Sequence, residues 1–318
     1  MFSLLLVSYI GIMYMFKYII GVRGMRMKMN YEIFADVSLD IDMDFAKENN
    51  VRFVPMEYML GEETFHCECP ETDEMMHNYY DKLRQTIPTR TSQIVPFHYV
   101  SVFEPYVKEK RSVLYISLSG GLSNTYESAQ MAVEMLRESY GEVDVEVVDS
   151  LGATGGMGLL TESACRNREA GMSLSENASW LRENASKINY WFKVEDLMYL
   201  KRGGRISAAT AVIGTALNIK PVLTINGEGK LDTIAKKRGD TLALKYMLDQ
   251  FTANFDESFG KVIYICCADC KDTAGKLKDM ILELYPDLTV KITMLSPIIG
   301  AHTGPDMVSL IHYGKSRI

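Results

Sequence analysis

Short β-rich runs alternate with longer segments of helical spacing along most of this chain, and that alternation restricts the fold more than any single motif. YEIFAD, VRFVPMEY, SVLYISL and VDVEVVD read as strands, whereas 123–139 and 153–170 read as helices. Such alternation predicts an α/β fold whose N-terminal half is a mostly parallel sheet with flanking helices. Beyond about residue 173 the order changes. Two helical stretches surround NYWFKVE, and KPVLTINGEGKLDTIA reads as a hairpin turning at Asn226-Gly227. A helix over 240–256, a strand KVIYICC, a helix over 270–285 and a strand LTVKITML follow. This second half predicts another α/β unit with a mixed sheet. The boundary falls near 165–172, in RNREAGMSLS, giving domains over 29–168 and 169–318.

A chain of 318 residues is long enough for two domains and a substantial core. Its net charge of -7 opposes nucleic acid as the main partner, because phosphate binding needs clustered Lys and Arg. Six cysteines in this length make no disulfide framework and fit a reducing cytosol, so a cytoplasmic location is expected. Residues 1–22 are almost wholly apolar, with Lys17 as their only charge, and Arg23, Arg26 and Lys28 follow. A membrane anchor fits that length and flanking charge. A start codon read too far upstream also fits, and is preferred, because Met25, Met27 and Met29 stand just before NYEIFADVS. Residues 1–28 are therefore set apart as an apolar extension.

Three motifs carry less chemistry than they promise. GATGGMG at 152–158 lacks both the GxGxxG register and a GK[ST] ending, so its small residues are expected to let a helix pack close to a strand. Cys267 and Cys270 form a CxxC with no second pair, which supports neither zinc nor redox chemistry by itself. His66, Cys67 and Cys69 resemble a metal cluster, yet on a strand His66 and Cys67 point to opposite faces. No metal site is expected.

Four other stretches converge chemically. TSQIVP (91–96) offers the hydroxyls of Thr91 and Ser92, and SGGLSNTY (119–126) ends an apolar run in Ser119, Gly120 and Gly121. LKRGGRIS (200–207) places Arg205 after two glycines, and IGAHTGP (299–305) places His302 in a glycine-flanked loop. Hydroxyls, backbone N–H groups, a guanidinium and an imidazole are donors suited to an anion. A phosphate loop would need a Lys at the helix start, and 119–126 has none. A serine hydrolase would need GxSxG, and neither Ser119 nor Ser123 has that frame. A held carboxylate uses all four stretches without asking any group to react.

These stretches, with VVDSLGATGGMGLL (147–160) and LNIKPVLTINGEGKL (217–231), resemble the DegV family of fatty-acid-binding proteins in order and spacing from about residue 29 onward. The resemblance implies a fatty acid bound between two α/β domains. It also implies a non-catalytic, lipid-presenting role beside an ATP-dependent fatty acid kinase subunit, which phosphorylates the acid to an acyl phosphate for phospholipid synthesis. Partners implied are thus the fatty acid, that kinase and, transiently, a membrane surface, with no cofactor beyond the lipid. The family's head-group positions fall on Thr91, the turn at 119–121, Arg205 and His302, with Ser92 adjacent. The chain departs from the family's usual TSQPSP at Ile94 and Val95, from SSGLSGTY at Gly120 and Asn124, and from DSTADL in its first loop, ADVSLDID, which argues against a role for Asp36 or Ser38.

A tail of about fifteen methylenes at ~0.8 kcal/mol each is worth on the order of 12 kcal/mol when buried, which calls for an apolar tunnel. Ile94, Leu122, Met157, Ile206, Ile213 and Leu217 are candidates for its lining, against the plainer expectation of ordinary core for several of them. Two other readings stand beside this one: a serine-type acyl hydrolase with His302 as base, and a carrier or sensor of another apolar acid.

Overall fold

The structure, a computed structural model, describes residues 30–69, 73–207, 218–315 and 317. The extension over 1–28 and the candidates Ile213 and Leu217 lie outside the described residues.

Strands β1 (Tyr31–Asp36), β2 (Val51–Val54), β6 (Ser112–Ser117) and β7 (Val145–Asp149) form a parallel sheet in the order β2-β1-β6-β7. A small antiparallel sheet, β4-β3-β5, is inserted between β2 and β6 and comprises β3 (Met56–Leu60), β4 (Glu63–Cys67) and β5 (Thr89–Thr91). VRFVPMEY is thus two strands in two sheets: Pro55 has no N–H for a ladder, and the chain changes sheets there.

The second half supplies a six-stranded mixed sheet in the order β10-β9-β8-β13-β11-β12. Its strands are β8 (Ile188–Lys193), β9 (Ile219–Ile225), β10 (Leu231–Arg238), β11 (Val262–Cys267), β12 (Thr289–Met294) and β13 (Val308–Tyr313). Only β11 and β12 pair in parallel. The β9–β10 hairpin turns over Asn226–Lys230, longer than the two-residue turn expected at Asn226-Gly227. Gly229 takes the left-handed conformation there, with φ 73°.

The mixed sheet is buried on both faces, and its side chains alternate accordingly. Tyr190, Phe192, Tyr264, Cys266 and Ile311 face the core shared with the parallel sheet. Trp191, Ile263, Ile265, Cys267 and Leu310 face the opposite layer. One hydrophobic cluster is therefore continuous between the two sheets.

Ten α-helices appear among the described residues, named here in chain order: α1 (Met43–Glu48), α2 (Asp73–Arg84), α3 (Pro96–Lys108), α4 (Thr125–Tyr140), α5 (Thr154–Glu169), α6 (Leu174–Ala185), α7 (Met198–Arg202), α8 (Asp240–Asn254), α9 (Lys271–Leu284) and α10 (Pro297–Thr303). None of them is long and apolar enough to cross a membrane. Helix α5 lies between the sheets, buried without a break over Thr154–Cys165. Its glycines explain how. A Cβ at Gly155 would sit 2.7 Å from Tyr264 Cβ, one at Gly158 2.5 Å from the Asp40 carbonyl oxygen, and one at Gly156 2.0 Å from Tyr190 Oη. GATGGMG is a packing surface, as its small residues suggested.

Candidate functional site

In the parallel sheet, β1 leads to β2 on one side while β6 leads to β7 on the other, so a crevice opens at the carboxyl ends of β1 and β6. Buried Asp36 bridges it. Its carboxylate accepts from the Leu118 N–H at 2.8 Å, Tyr115 Oη at 2.9 Å, and both the N–H and hydroxyl of Ser38. That clamp sets the loop from which Leu118 and Leu122 enter a cavity of about 790 Å³, its open end included. Phe192, Ile225 and Ile311 of the mixed sheet and Ile298 of α10 line it from the other side.

Polar groups gather at one end of this apolar space. Thr91 Oγ1, at the end of β5, lies 2.8 Å from His302 Nε2 on α10. A Cβ on Gly203 would fall 2.2 Å from His302 Nδ1, so only glycine lets the end of α7 close onto the imidazole. Arg205 Nη1 donates to the Gly203 carbonyl at 2.5 Å, and Arg205 Nε to the Leu122 carbonyl at 2.9 Å. Ser92 and Gln93, also lining the cavity, are exposed, so this cluster faces solvent.

Two features of the cluster are incomplete. Arg205 has no carboxylate partner among the described residues, and burial alone lowers its pKa from the ordinary value. His302 Nδ1 is buried without a hydrogen-bond partner. Burial, then the neighbouring Arg205, pushes the His302 pKa down to about 4, so the ring is neutral at pH 7. If Nε2 accepts from Thr91, the hydrogen on Nδ1 lacks an acceptor; in the other tautomer the Thr91 hydroxyl hydrogen lacks one. Either way a guanidinium without a carboxylate partner and a donor without an acceptor stand at the same end of the cavity.

Four sequence-derived candidates therefore meet here: Thr91, Ser92, Arg205 and His302, with Leu122 beside them. The turn 119–121 does not line the cavity. Ser119 Oγ donates to the Gly229 carbonyl at 2.9 Å, the Gly120 N–H to Asp149 Oδ2 at 3.2 Å, and the Gly121 N–H to Ser119 Oγ at 3.1 Å. Ser119 thus seats the β9–β10 hairpin, against which Gly121 packs too closely for any Cβ, while the Gly120 N–H is held by the end of β7. Three proposed lining residues are also placed elsewhere. Met157 is buried within α5 with its Sδ 3.4 Å from Ser38 Oγ, Ile94 lines a neighbouring groove with Val95 and His98, and Ile206 is buried outside the lining. Asp36 and Gly203 act on the site in ways the sequence did not single out. Gly203 had a signal in the paired glycines before Arg205, while the altered ADVSLDID loop had argued against a role for Asp36.

His66 and Cys67 do face opposite sides of β4: His66 pairs with Glu57 at 3.1 Å, and Cys67 is buried. Among the described residues, three potential metal-ligating atoms come together only at His77, Asp81 and Asp269, where Arg84 already pairs with Asp269 at 2.6 Å.

Fold and site together define an α/β protein of one parallel and one mixed sheet, with a small antiparallel insert, an apolar cavity and a cationic, donor-rich end. A family model described as "Uncharacterised protein, DegV family" matches residues 30–315, and the chain belongs to the DegV family. It is 34% identical over 287 residues to a DegV domain-containing protein of Clostridium perfringens, covering 90% of this chain and 98% of that one. A DegV protein of Thermus thermophilus, whose structure is described as showing fatty acid binding, is 29% identical with a TM-score of 0.76, covering 90% and 100% of the two chains. A Ruminococcus gnavus DegV structure refined with vaccenic acid shares the fold at a TM-score of 0.79 and 22% identity, covering 89% and 99%.

Proposed function

We propose that this protein binds one long-chain fatty acid, with its tail in the cavity and its carboxylate at Arg205, His302, Thr91 and Ser92. The observation that carries this reading is the unpaired Arg205 beside the unsatisfied His302–Thr91 pair, at the solvent end of an apolar cavity. A carboxylate supplies the missing charge and accepts the spare hydrogen, and an alkyl chain fills the rest. The Thermus thermophilus relative supports the same ligand class.

The family resemblance extends the proposal: the acid is presented to an ATP-dependent kinase subunit that phosphorylates its carboxylate. The residues named here orient the carboxylate oxygens, while nucleotide and metal come with the partner. The acyl hydrolase reading has less support. No carboxylate among the described residues bonds to His302 Nδ1, and an imidazole with a pKa of about 4 is a weak base at neutral pH.

Mass spectrometry of an organic extract of the purified protein tests the binding proposal. About one fatty acid per chain is expected. A lipid-free extract, from a preparation that also fails to take up added oleate, would overturn it.

A further inference from the structure

Thr154 breaks the pattern of the glycine-rich stretch that carries it. It is the first residue of α5, within GATGGMG, and its φ is 54°. That is the left-handed region, where a β-branched side chain crowds its own backbone and glycine sits without strain. Glycines stand around it, at 152, 155, 156 and 158. Position 154 nevertheless holds a threonine, and strain of this kind persists where the surrounding structure enforces it, commonly at ligand sites.

What the threonine adds is a hydroxyl in the wall of the cavity. Thr154 is 5% exposed and lines the cavity. Its backbone N–H is used, donating to the Ser38 carbonyl at 3.1 Å. Its hydroxyl has no hydrogen-bond partner among the described residues. Tyr190 belongs to the same lining, and its Oη rests against this turn, where a Cβ on Gly152 would fall 1.8 Å from it. That hydroxyl too is buried without a partner. Other hydroxyls of the lining are engaged: Ser309 Oγ with the N–H and carbonyl of Cys266 at 3.2 and 3.1 Å, and Thr303 Oγ1 with the Ile299 carbonyl at 3.3 Å. Helix α5 packs against β1, β6, β8, β11 and β13, whereas Thr91, Arg205 and His302 come from β5, the segment after α7, and α10. Thr154 therefore stands against the tail of a bound acid, away from its carboxylate.

An all-hydrocarbon tail would cover this hydroxyl and leave it unsatisfied, which costs affinity. A hydroxyl on the tail offers it both an acceptor and a donor. We propose that Thr154 is a specificity-determining residue, which selects long-chain acids carrying a hydroxyl within the tail over their unsubstituted counterparts. The inference rests on the fatty acid binding proposed above and narrows its ligand class to hydroxy fatty acids.

The test is competition against a fluorescent fatty acid on the folded full-length chain, using stearate and a set of hydroxystearates with the hydroxyl moved along the chain. At least one mid-chain isomer should bind about twofold to tenfold more tightly than stearate, the worth of one neutral hydrogen bond. Thr154→Val keeps the β-branched shape and removes the hydroxyl, so it should bring that isomer's affinity to or below that of stearate. Stearate binding to the unmutated protein with every hydroxystearate weaker would overturn the inference, and this readout does not depend on any variant folding. A preference that survives Thr154→Val would overturn it, as would an equal loss for stearate and hydroxystearates, which would place Thr154 at the carboxylate. Failure of stearate and of every hydroxystearate to bind is a different outcome: it would remove the fatty acid reading itself, and this inference with it.

Discussion

At the scale of single residues, Arg205 and His302 should divide binding from positioning. Most of the free energy of holding a long acid lies in its methylenes, so neither residue is needed for the tail to enter the cavity. Arg205 has no other charge partner among the described residues, and its bond to a carboxylate is charge-assisted. Arg205→Ala should therefore weaken fatty acid affinity by roughly 1.5–3 kcal/mol, about tenfold to a hundredfold. His302 offers a neutral donor, directly or through Thr91, and His302→Ala should cost only about 0.5–1.5 kcal/mol. Phosphorylation of the bound acid by a kinase partner should fall further than affinity in the His302 variant, because misdirected oxygens miss the transferred phosphate. Titration with a fluorescent fatty acid gives the first pair of numbers, and acyl phosphate formation gives the second. Equal affinities for Arg205→Ala and the unmutated protein would remove Arg205 from the head-group site.

At the scale of elements, the loops after β1 and β6 are held in register by Asp36, against whose role the altered ADVSLDID loop had argued. Asp36→Ala would leave the Leu118 N–H and one Tyr115 hydroxyl bond without their buried acceptor. A loss of about 3 kcal/mol in unfolding free energy is expected, together with weaker lipid binding through displaced Leu118 and Leu122. Urea unfolding checks the first effect; a change below about 0.5 kcal/mol would mean that the loops hold themselves. This contrast shows what could be read in advance. The β/α alternation and the close-packed GATGGMG helix were legible because periodicity and residue size act locally. Arg205, His302, Thr91 and Ser92 stood in Gly- or Pro-marked stretches and meet at the cavity, although Thr91 lies on β5 and His302 on α10 instead of in the loop expected for it. The turn 119–121 misled because donors in a loop do not declare their acceptors, and here Asp149 and Gly229, distant in sequence, take them. Met157 misled for a related reason: an apolar residue beside a motif is core or cavity lining according to which way the helix is rotated.

At the scale of the whole molecule, two buried imidazoles tie stability to pH. His312, on β13, accepts from Trp191 Nε1 at 2.9 Å and bonds the Tyr313 carbonyl at 2.8 Å through Nδ1, so its ring is neutral. Burial pushes its pKa down to about 4, as it does for His302. A histidine whose folded pKa lies below its ordinary value near 6.5 binds its proton first in the unfolded chain. The stabilisation is therefore fully present above about pH 6.5 and is lost as pH falls toward 4, by roughly 1.4 kcal/mol per unit for each ring. Asp36 and Asp40 act with the opposite sign, because burial raises both carboxyls and the folded state then takes up protons more readily. The total curve mixes these contributions, so the decisive quantity is a difference between two proteins. Gln at position 312 keeps an acceptor for Trp191 and a donor for Tyr313 but cannot be protonated. The unfolding free energy of the unmutated protein minus that of His312→Gln should fall by about 3 kcal/mol between pH 7 and pH 4, measured by urea denaturation. A difference that stays constant across that window would show that His312 titrates alike in the folded and unfolded chains, and that acid sensitivity arises elsewhere.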